Sequence, residues 1–554
     1  MQPTVIGRVT ATEKAPTTCC KVRFWVDPEV VLRPFDIVRI SHLPSAPGGS
    51  KSCSYAIIQD LEYITDSSGH LASFISSDFG DVQAEPMNDR LGTTIAEAEI
   101  LYNNQDVEMP IRDGAPVEWA DVEGIKDALG LRGLHRPVPA GYLSLSNNLD
   151  VPIAVEADYL IGPEGAHVNI AGISGLATKT SYALFLLSAI QQSFHDDVTI
   201  VVFNVKGRDL LALDEANPLI ETDHRAREEW EKCGLEPKPF DNVTYLYPFA
   251  NAPKTYFTSS HAERDVLRAQ IEQGKAWNYF YDLDSGIPKL ALLFSDVDDS
   301  TCTMESIVHK LHEFPESTWP DFRKAVKRKS RAGGTDDKEI SVASWRKFQR
   351  LLQTRTEHDL FTERHTTESK EKRQKGVVEA LADLHAGSVL VVDVEPLPDY
   401  LQSMVLGDVV QTILGAKLSD EEKVSGEKLG TVVVFADELN KYAPRTGGGS
   451  DRTLTRTLLE VSERGRSLGV ILFGAEQFRS HVHDRIHGNC STNVFGRTSP
   501  IEIAKCQDYR YFPDAYKASL TRLRQGSLLL QHAVFKTSLV KVKFPHPAYY
   551  QPKG

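Results

Sequence analysis

Two stretches carry residues whose types and order could do phosphate chemistry. The first is HVNIAGISGLATKTSYALFLLSAI, residues 167–190. An apolar run over 167–171 leads into a loop holding Gly172 and Gly175. Lys179, Thr180 and Ser181 then open a stretch whose apolar residues (Ala183, Leu184, Leu186, Leu187, Ile190) recur at helical spacing. Strand, loop, Lys-Thr and helix is the layout of a phosphate-binding loop. Successive backbone N–H groups and a helix N-terminus face an anion, a lysine adds a positive charge, and a hydroxyl can ligate Mg²⁺. The residues that would line such a loop are Gly172, Ser174, Gly175, Ala177, Thr178, Lys179, Thr180 and Ser181. The spacing departs from G-x-x-x-x-G-K-[ST], since Ile173 and Thr178 stand where that pattern has glycine. The alternative for this stretch alone is an ordinary strand-turn-helix connection.

The second stretch is TVVVFADEL, residues 431–439. An apolar run ending in Asp-Glu describes a buried strand whose last residues emerge at the carboxyl edge of a sheet, where open α/β sheets bind ligands. Asp437 there would hold the hydration shell of Mg²⁺, and Glu438 would polarise a water for attack on phosphorus. Downstream, residues 454–466 (LTRTLLEVSERGR) form a predicted helix. Arg464 and Arg466 at its end are either arginine fingers for a neighbouring subunit's γ-phosphate or charges favoured by the helix dipole. Gln477 follows the apolar run 470–474, where a polar side chain could sense the same phosphate.

These residues need a sheet to position them. From about 151 onward apolar runs alternate with helical stretches, the pattern of a parallel α/β sheet. The runs are 167–171, 198–204, 290–295, 388–394, 431–437 and 470–474, mostly continuous as expected of strands buried on both faces. Residues 526–542 read as a closing β-hairpin. Between 296 and 386 lies a polar insertion, read as helical, anchored by Trp319, Phe322, Trp345 and Phe348. Its run 323–331, RKAVKRKSR, is either a phosphate-contacting patch or a solvated helical face. Before all this, residues 2–105 read as five short strands (4–12, 20–26, 35–41, 55–65, 93–102) broken by turn residues, which predicts a small β-barrel. It shows no alternation of basic and aromatic residues, which favours docking over oligonucleotide binding. Residues 106–150 read as a connection with one helix at 122–129.

Composition narrows the class. The chain has 554 residues, 41% hydrophobic and 25% charged, which is globular and has room for several domains. No apolar run approaches the roughly 18 residues of a membrane helix, and the first residues carry no secretory pattern. Seven scattered cysteines, with no C-x-x-C, predict a reduced cytoplasmic protein without a zinc site. A net charge of −14 excludes a chain that coats nucleic acid with its whole surface, though not a ring with a basic lumen.

Taken in order, these parts resemble the HerA branch of the HerA/FtsK superfamily of ring ATPases. GISGLATKTS stands at that family's P-loop, VVVFADELNKYAP at its acidic strand, VSERGRSLGVILFGAEQF at its arginine-strand-glutamine segment, and GSLLLQHAVFKTSLVKVKFPHP at its C-terminal hairpin. The sequence departs from the family at the glycine before Lys179 and at Phe478-Arg479-Ser480 after Gln477. The resemblance implies a RecA-like P-loop NTPase core over 151–554, a HAS-barrel over 1–105, ATP and Mg²⁺ as ligands, and a homohexamer with duplex DNA in its channel. It assigns Lys179 and Thr180 to the phosphates and metal, Asp437 to the metal, Glu438 to general base, Gln477 to sensor, and Arg464 or Arg466 to the subunit interface. It also implies an effector partner, a nuclease or a sirtuin-like NAD hydrolase, docking through the barrel in DNA processing or antiphage defence.

Two functions compete. One is an ATP-driven DNA translocase. The other is a ring scaffold that binds nucleotide, hydrolyses it slowly and organises an effector, which the reset loop motivates. A coupling ATPase for DNA transfer across membranes lacks a membrane segment, and a small-molecule kinase lacks an acceptor site.

Overall fold

The structure, a computed structural model, describes residues 5–42, 52–75, 83, 91–173, 178–297, 303–331, 340–365, 369–418, 428–445 and 453–552. The chain forms two compact units, Met1–Glu156 with Arg497–Lys543, and Ala157–Gly496 with Phe544–Gly554.

The first unit begins with six strands, β1 (Val5–Val9), β2 (Lys21–Val26), β3 (Ile37–Ser41), β4 (Cys53–Thr65), β5 (Gly92–Asn103) and β6 (Pro116–Trp119). They close antiparallel in the order β1-β2-β5-β4-β3-β6. Alternation explains the closure. In β2, Val22, Phe24 and Val26 point inward to meet Ile6, Val9, Ile40, Ile58 and Ala96, while Lys21 and Trp25 face out. The stretch 106–150, expected only to connect, supplies the sixth barrel strand. Four residues, PVEW, are too few to show a period in sequence, yet β6 pairs with both β1 and β3. The predicted helix at 122–129 is present as Val122–Leu129. Asp121 caps it by accepting from Gly124 N, and Gly130 ends it in the left-handed region at φ +85°. Two further strands follow, β7 (Pro137–Ser144) and β8 (Asp150–Glu156).

The second unit holds eight strands, β9 (Val168–Ala171), β10 (Val198–Asn204), β11 (Val243–Pro248), β12 (Ala276–Tyr279), β13 (Val389–Asp393), β14 (Thr431–Ala436), β15 (Val470–Glu476) and β16 (Thr492–Phe495). They run parallel in the order β12-β11-β13-β10-β14-β15-β9-β16. The acidic strand β14 is separated from the loop-bearing strand β9 by one strand, β15. This is an open, parallel α/β sheet with helices between its strands. The helix Thr178–Ser193 follows β9 and is buried on nearly every side, as its run of Ala, Leu and aromatic residues requires.

Two sequence expectations change here. The run 290–295 is not a strand. Leu290–Leu293 is a helix, with Leu290, Leu292 and Leu293 in the core, because a short apolar run serves a buried helix as well as a strand. Strands β11, β12 and β16 (VTYLYP, AWNY, TNVF) went unread, each short and broken by Pro, Asn or Thr. The insertion is helical as expected, with helices Thr303–Lys310, Trp319–Lys329, Val342–Thr356 and Val377–Ala382. Trp319, Phe322, Trp345 and Phe348 are all buried in its core. The basic run is locally committed. Arg323 donates to Thr356 O at 2.6 Å, Arg328 pairs with Glu316 at 3.0 Å, and Lys327, Arg328 and Lys329 occupy a helix's last turn.

The first unit is completed from the C-terminal part of the chain by β17 (Ser527–His532) and β18 (Val540–Lys543), paired antiparallel as predicted. They extend β7 and β8 into the order β17-β18-β7-β8, and the hairpin belongs to the first compact unit. A hairpin's own sequence does not specify which sheet edge it joins.

Candidate nucleotide site

Three neighbouring parallel strands end together, β9 at Ala171, β15 at Glu476 and β14 at Ala436, and their register brings the predicted residues to one edge. Gly172 N donates to Glu476 O at 3.1 Å, which suspends the start of the loop from β15. Ser174, Gly175 and Ala177 lie outside the described residues, and of Thr178 only the backbone is described, as the first residue of the helix.

Beyond the loop, the side chains converge. Thr180 Oγ1 donates to Asp437 Oδ2 at 2.9 Å. Lys179 is buried, with its Nζ 3.9 Å from Asp437 Oδ1 and 4.0 Å from Glu438 Oε1, and that Nζ has no hydrogen-bond partner among the described residues. Burial holds the Lys179 pKa below the usual lysine range, although Asp437 and Glu438 act in the other direction. Ser181 is buried beside them in the helix.

Asp437 is buried and Glu438 is about a quarter exposed. Glu438 also adopts φ +56°, ψ +44°, a left-handed conformation that costs a side-chain-bearing residue on the order of 1–3 kcal/mol. Such strain turns the carboxylate away from the strand direction and towards the edge.

Sequence reading missed three members of this cluster. Lys206, two residues past the end of β10, places its Nζ 2.8 Å from Glu438 Oε1 and 3.2 Å from Asp437 Oδ2. Burial opposes its charge, but Asp437 and Glu438 outweigh that and raise its pKa. Glu476, the last residue of β15, is wholly buried, with the Asn169 side chain beside its carboxylate. Burial pushes its pKa up to about 8, against the pull of Arg479 and Lys179. Arg479 is itself buried, donates to Asn169 Oδ1 and to Asn493 Oδ1 (2.9 Å), and lies 5.4 Å from the Phe495 ring centroid. The available signal was positional, because Lys206 and Glu476 each stand at the end of an apolar run in a parallel sheet. Gln477 is half-buried directly after β15, at the same edge.

Arg464 and Arg466 lie elsewhere. Their helix, Thr453–Leu468, ends just before β15 starts, so both stand at the amino edge of the sheet. The seven residues of β15 separate the two edges by about 20 Å. Arg464 is three-quarters exposed, with Glu460 at 3.8 Å, whereas Arg466 donates to Glu164 O at 3.2 Å.

The donor set suits a nucleotide with its metal. Among the described residues no group of three or more His, Cys, Asp or Glu side chains could hold a metal alone. A hydroxyl and one carboxylate at 2.9 Å suit Mg²⁺, which takes few protein ligands and the rest from phosphates and water. The buried Lys179 ammonium, held only by two long ion pairs with Asp437 and Glu438 among the described residues, is an anion's natural partner.

No protein-family model and no curated protein sequence matches the chain. Among solved structures it is similar to the bacterial conjugative coupling protein TrwBΔN70 in its unbound form, at 12% identity and TM-score 0.41, covering 77% of this chain and 94% of that one. TrwB with the non-hydrolysable ATP analogue ADPNP gives 12% and 0.41 over 70% of this chain and 87% of that one. VirB4 of Thermoanaerobacter pseudethanolicus gives 13% and 0.39 over 74% and 96%.

Proposed function

We propose that this chain is an ATP-hydrolysing motor of the HerA type, working as a homohexameric ring on duplex DNA in its channel. The observation that carries the reading is the buried Lys179 ammonium, without a hydrogen bond among the described residues, beside the Thr180–Asp437 contact and Glu438 at one sheet edge. Lys179 and the backbone N–H groups after Gly172 bind the phosphates. Thr180 and Asp437 hold Mg²⁺, which when bound screens charge on the phosphate oxygens. Glu438 takes a proton from the attacking water as its oxygen bonds to the γ-phosphorus. The bond from that phosphorus to the β–γ bridging oxygen breaks, and ADP and inorganic phosphate result. Gln477 reads the γ-phosphate from the end of β15.

Arg464 is the better arginine finger of the two candidates, since it is exposed and held only by Glu460, whereas Arg466 is tied to its own chain's Glu164. Its place at the amino edge directs it to a neighbouring subunit. The reading extends to an effector, a nuclease or a sirtuin-like NAD hydrolase, docked on the N-terminal barrel, and to DNA processing or antiphage defence as the setting.

A second reading, a slowly hydrolysing scaffold, is favoured by one observation: Lys206 occupies Glu438, the base, at 2.8 Å. Steady-state ATP hydrolysis with and without linear duplex DNA, beside Lys179→Ala and Glu438→Gln, separates the two. DNA-stimulated turnover lost in both variants supports the motor. Nucleotide binding with turnover indifferent to DNA supports the scaffold and rejects the motor.

A further inference from the structure

From the same geometry we infer that Lys206 is a positioning residue that reads the third phosphate of a nucleoside triphosphate and, on binding it, releases Glu438 to act as base. The inference rests on the nucleotide site proposed above.

Lys206 and Lys179 differ in freedom. Lys179 is buried at the start of a helix, with 3.9 and 4.0 Å to the two carboxylates. Lys206 is half exposed on the turn after β10, hydrogen-bonded to Glu438 at 2.8 Å and within 3.2 Å of Asp437. The next residue, Gly207, takes φ +66° with open space around the position a Cβ would fill. Gly207 O accepts from Asn204 Nδ2 at 3.2 Å, so the turn stays in place while the half-exposed Lys206 side chain can re-aim through its own rotamers.

As placed, the Lys206 ammonium engages Glu438 Oε1, one of the two oxygens that could accept a proton from water. An ammonium shared between two carboxylates is drawn towards a more highly charged anion placed beside it. The terminal phosphate of a nucleoside triphosphate is such an anion, and a diphosphate lacks it. A triphosphate thus draws Lys206 off Glu438, whereas a diphosphate leaves the pair closed. One residue then supplies two effects: preference for tri- over diphosphate, and a base that is free only when its substrate is bound.

The test measures ATP and ADP affinity by titration calorimetry with Mg²⁺, together with kcat and KM, for the full chain, Lys206→Ala and Lys206→Arg. In Lys206→Ala, ADP affinity should stay within about 2-fold and ATP affinity should fall about 10-fold, with Lys206→Arg restoring the ATP preference, while kcat at saturating ATP should not fall because nothing then holds Glu438. Equal weakening of both nucleotides, unchanged affinities, or a kcat lowered about 10-fold or more in Lys206→Ala would each overturn the inference. If the unaltered chain binds ATP and loses it in Lys179→Ala while Lys206→Ala changes nothing, the nucleotide site stands and only this inference falls. If the unaltered chain binds neither nucleotide, both fall.

Discussion

Thr180 Oγ1 donates a hydrogen bond to Asp437 Oδ2 at 2.9 Å across a sequence separation of 257 residues. That contact joins the helix after β9 to the end of β14, two strands away in the sheet. It brings together, from residues that local sequence cannot relate, the hydroxyl and carboxylate proposed above to hold Mg²⁺.

Lys179 sits buried without a hydrogen bond among the described residues, so its removal should separate stability from function. Lys179→Met is expected to raise folding stability by about 1 kcal/mol, since an unsatisfied buried donor costs about 1–3 kcal/mol and Lys206 still pairs both acids. The same variant should lose nucleotide binding. Thermal denaturation and ATP titration, run side by side, check both halves, and a lower Tm would contradict the first.

Glu438→Gln keeps the side chain's shape but removes the proton acceptor. Turnover should fall roughly 100- to 10,000-fold while ATP affinity changes little. Rapid-quench measurement of a single turnover reads the chemical step directly. Retention of a near-normal rate would assign the base elsewhere, with Glu476 the next carboxylate at that edge.

The exposure of Arg464 and the tether of Arg466 predict unequal variants. Arg464→Ala should lower kcat about 1,000-fold or more, in the range of lost arginine fingers, without a change in Tm. Arg466→Ala should change kcat little. Mixing Arg464→Ala with Glu438→Gln protein should recover activity at mixed interfaces, which a finger acting within its own chain could not do.

His532 predicts an acid limit for the first unit. Its ring is buried, and its Nε2 accepts from Glu156 N at 3.1 Å, so the neutral form is the one that fits. Burial lowers its pKa to about 4 from the ordinary 6.5. The folded pKa lies below the unfolded one, so this contribution is fully present above pH 6.5. It is lost as the pH falls to about 4, to an extent of about 3 kcal/mol. Denaturant midpoints between pH 4 and 7 should fall more steeply in the unaltered chain than in His532→Gln.

Much of the site was legible before any coordinates, because apolar runs that end in functional groups announce themselves. Lys179, Thr180, Asp437 and Glu438 each follow or end such a run, and all four meet at one edge. The helix at 122–129 was equally legible, with Asp121 before it and Gly130 after it, since both caps act within a few residues. The run 290–295 misled for the opposite reason. A four-residue run with three buried leucines satisfies either secondary structure, and the packing of neighbours decided for helix.

The amino-acid order alone determined which groups are candidates for holding phosphate and accepting a proton, and that β9, β10, β13, β14 and β15 are strands buried on both faces. Those are properties of side-chain chemistry and local periodicity. Only the tertiary structure decided that Lys206 pairs with Glu438, that Glu476 lies beside β9 and Arg479 reaches Asn169 in it, that PVEW closes a barrel, and that Arg464 stands at the opposite edge of the sheet. Each of those depends on strand order and register between distant segments, which are set by the shared burial of whole faces and carry no signature in any single stretch.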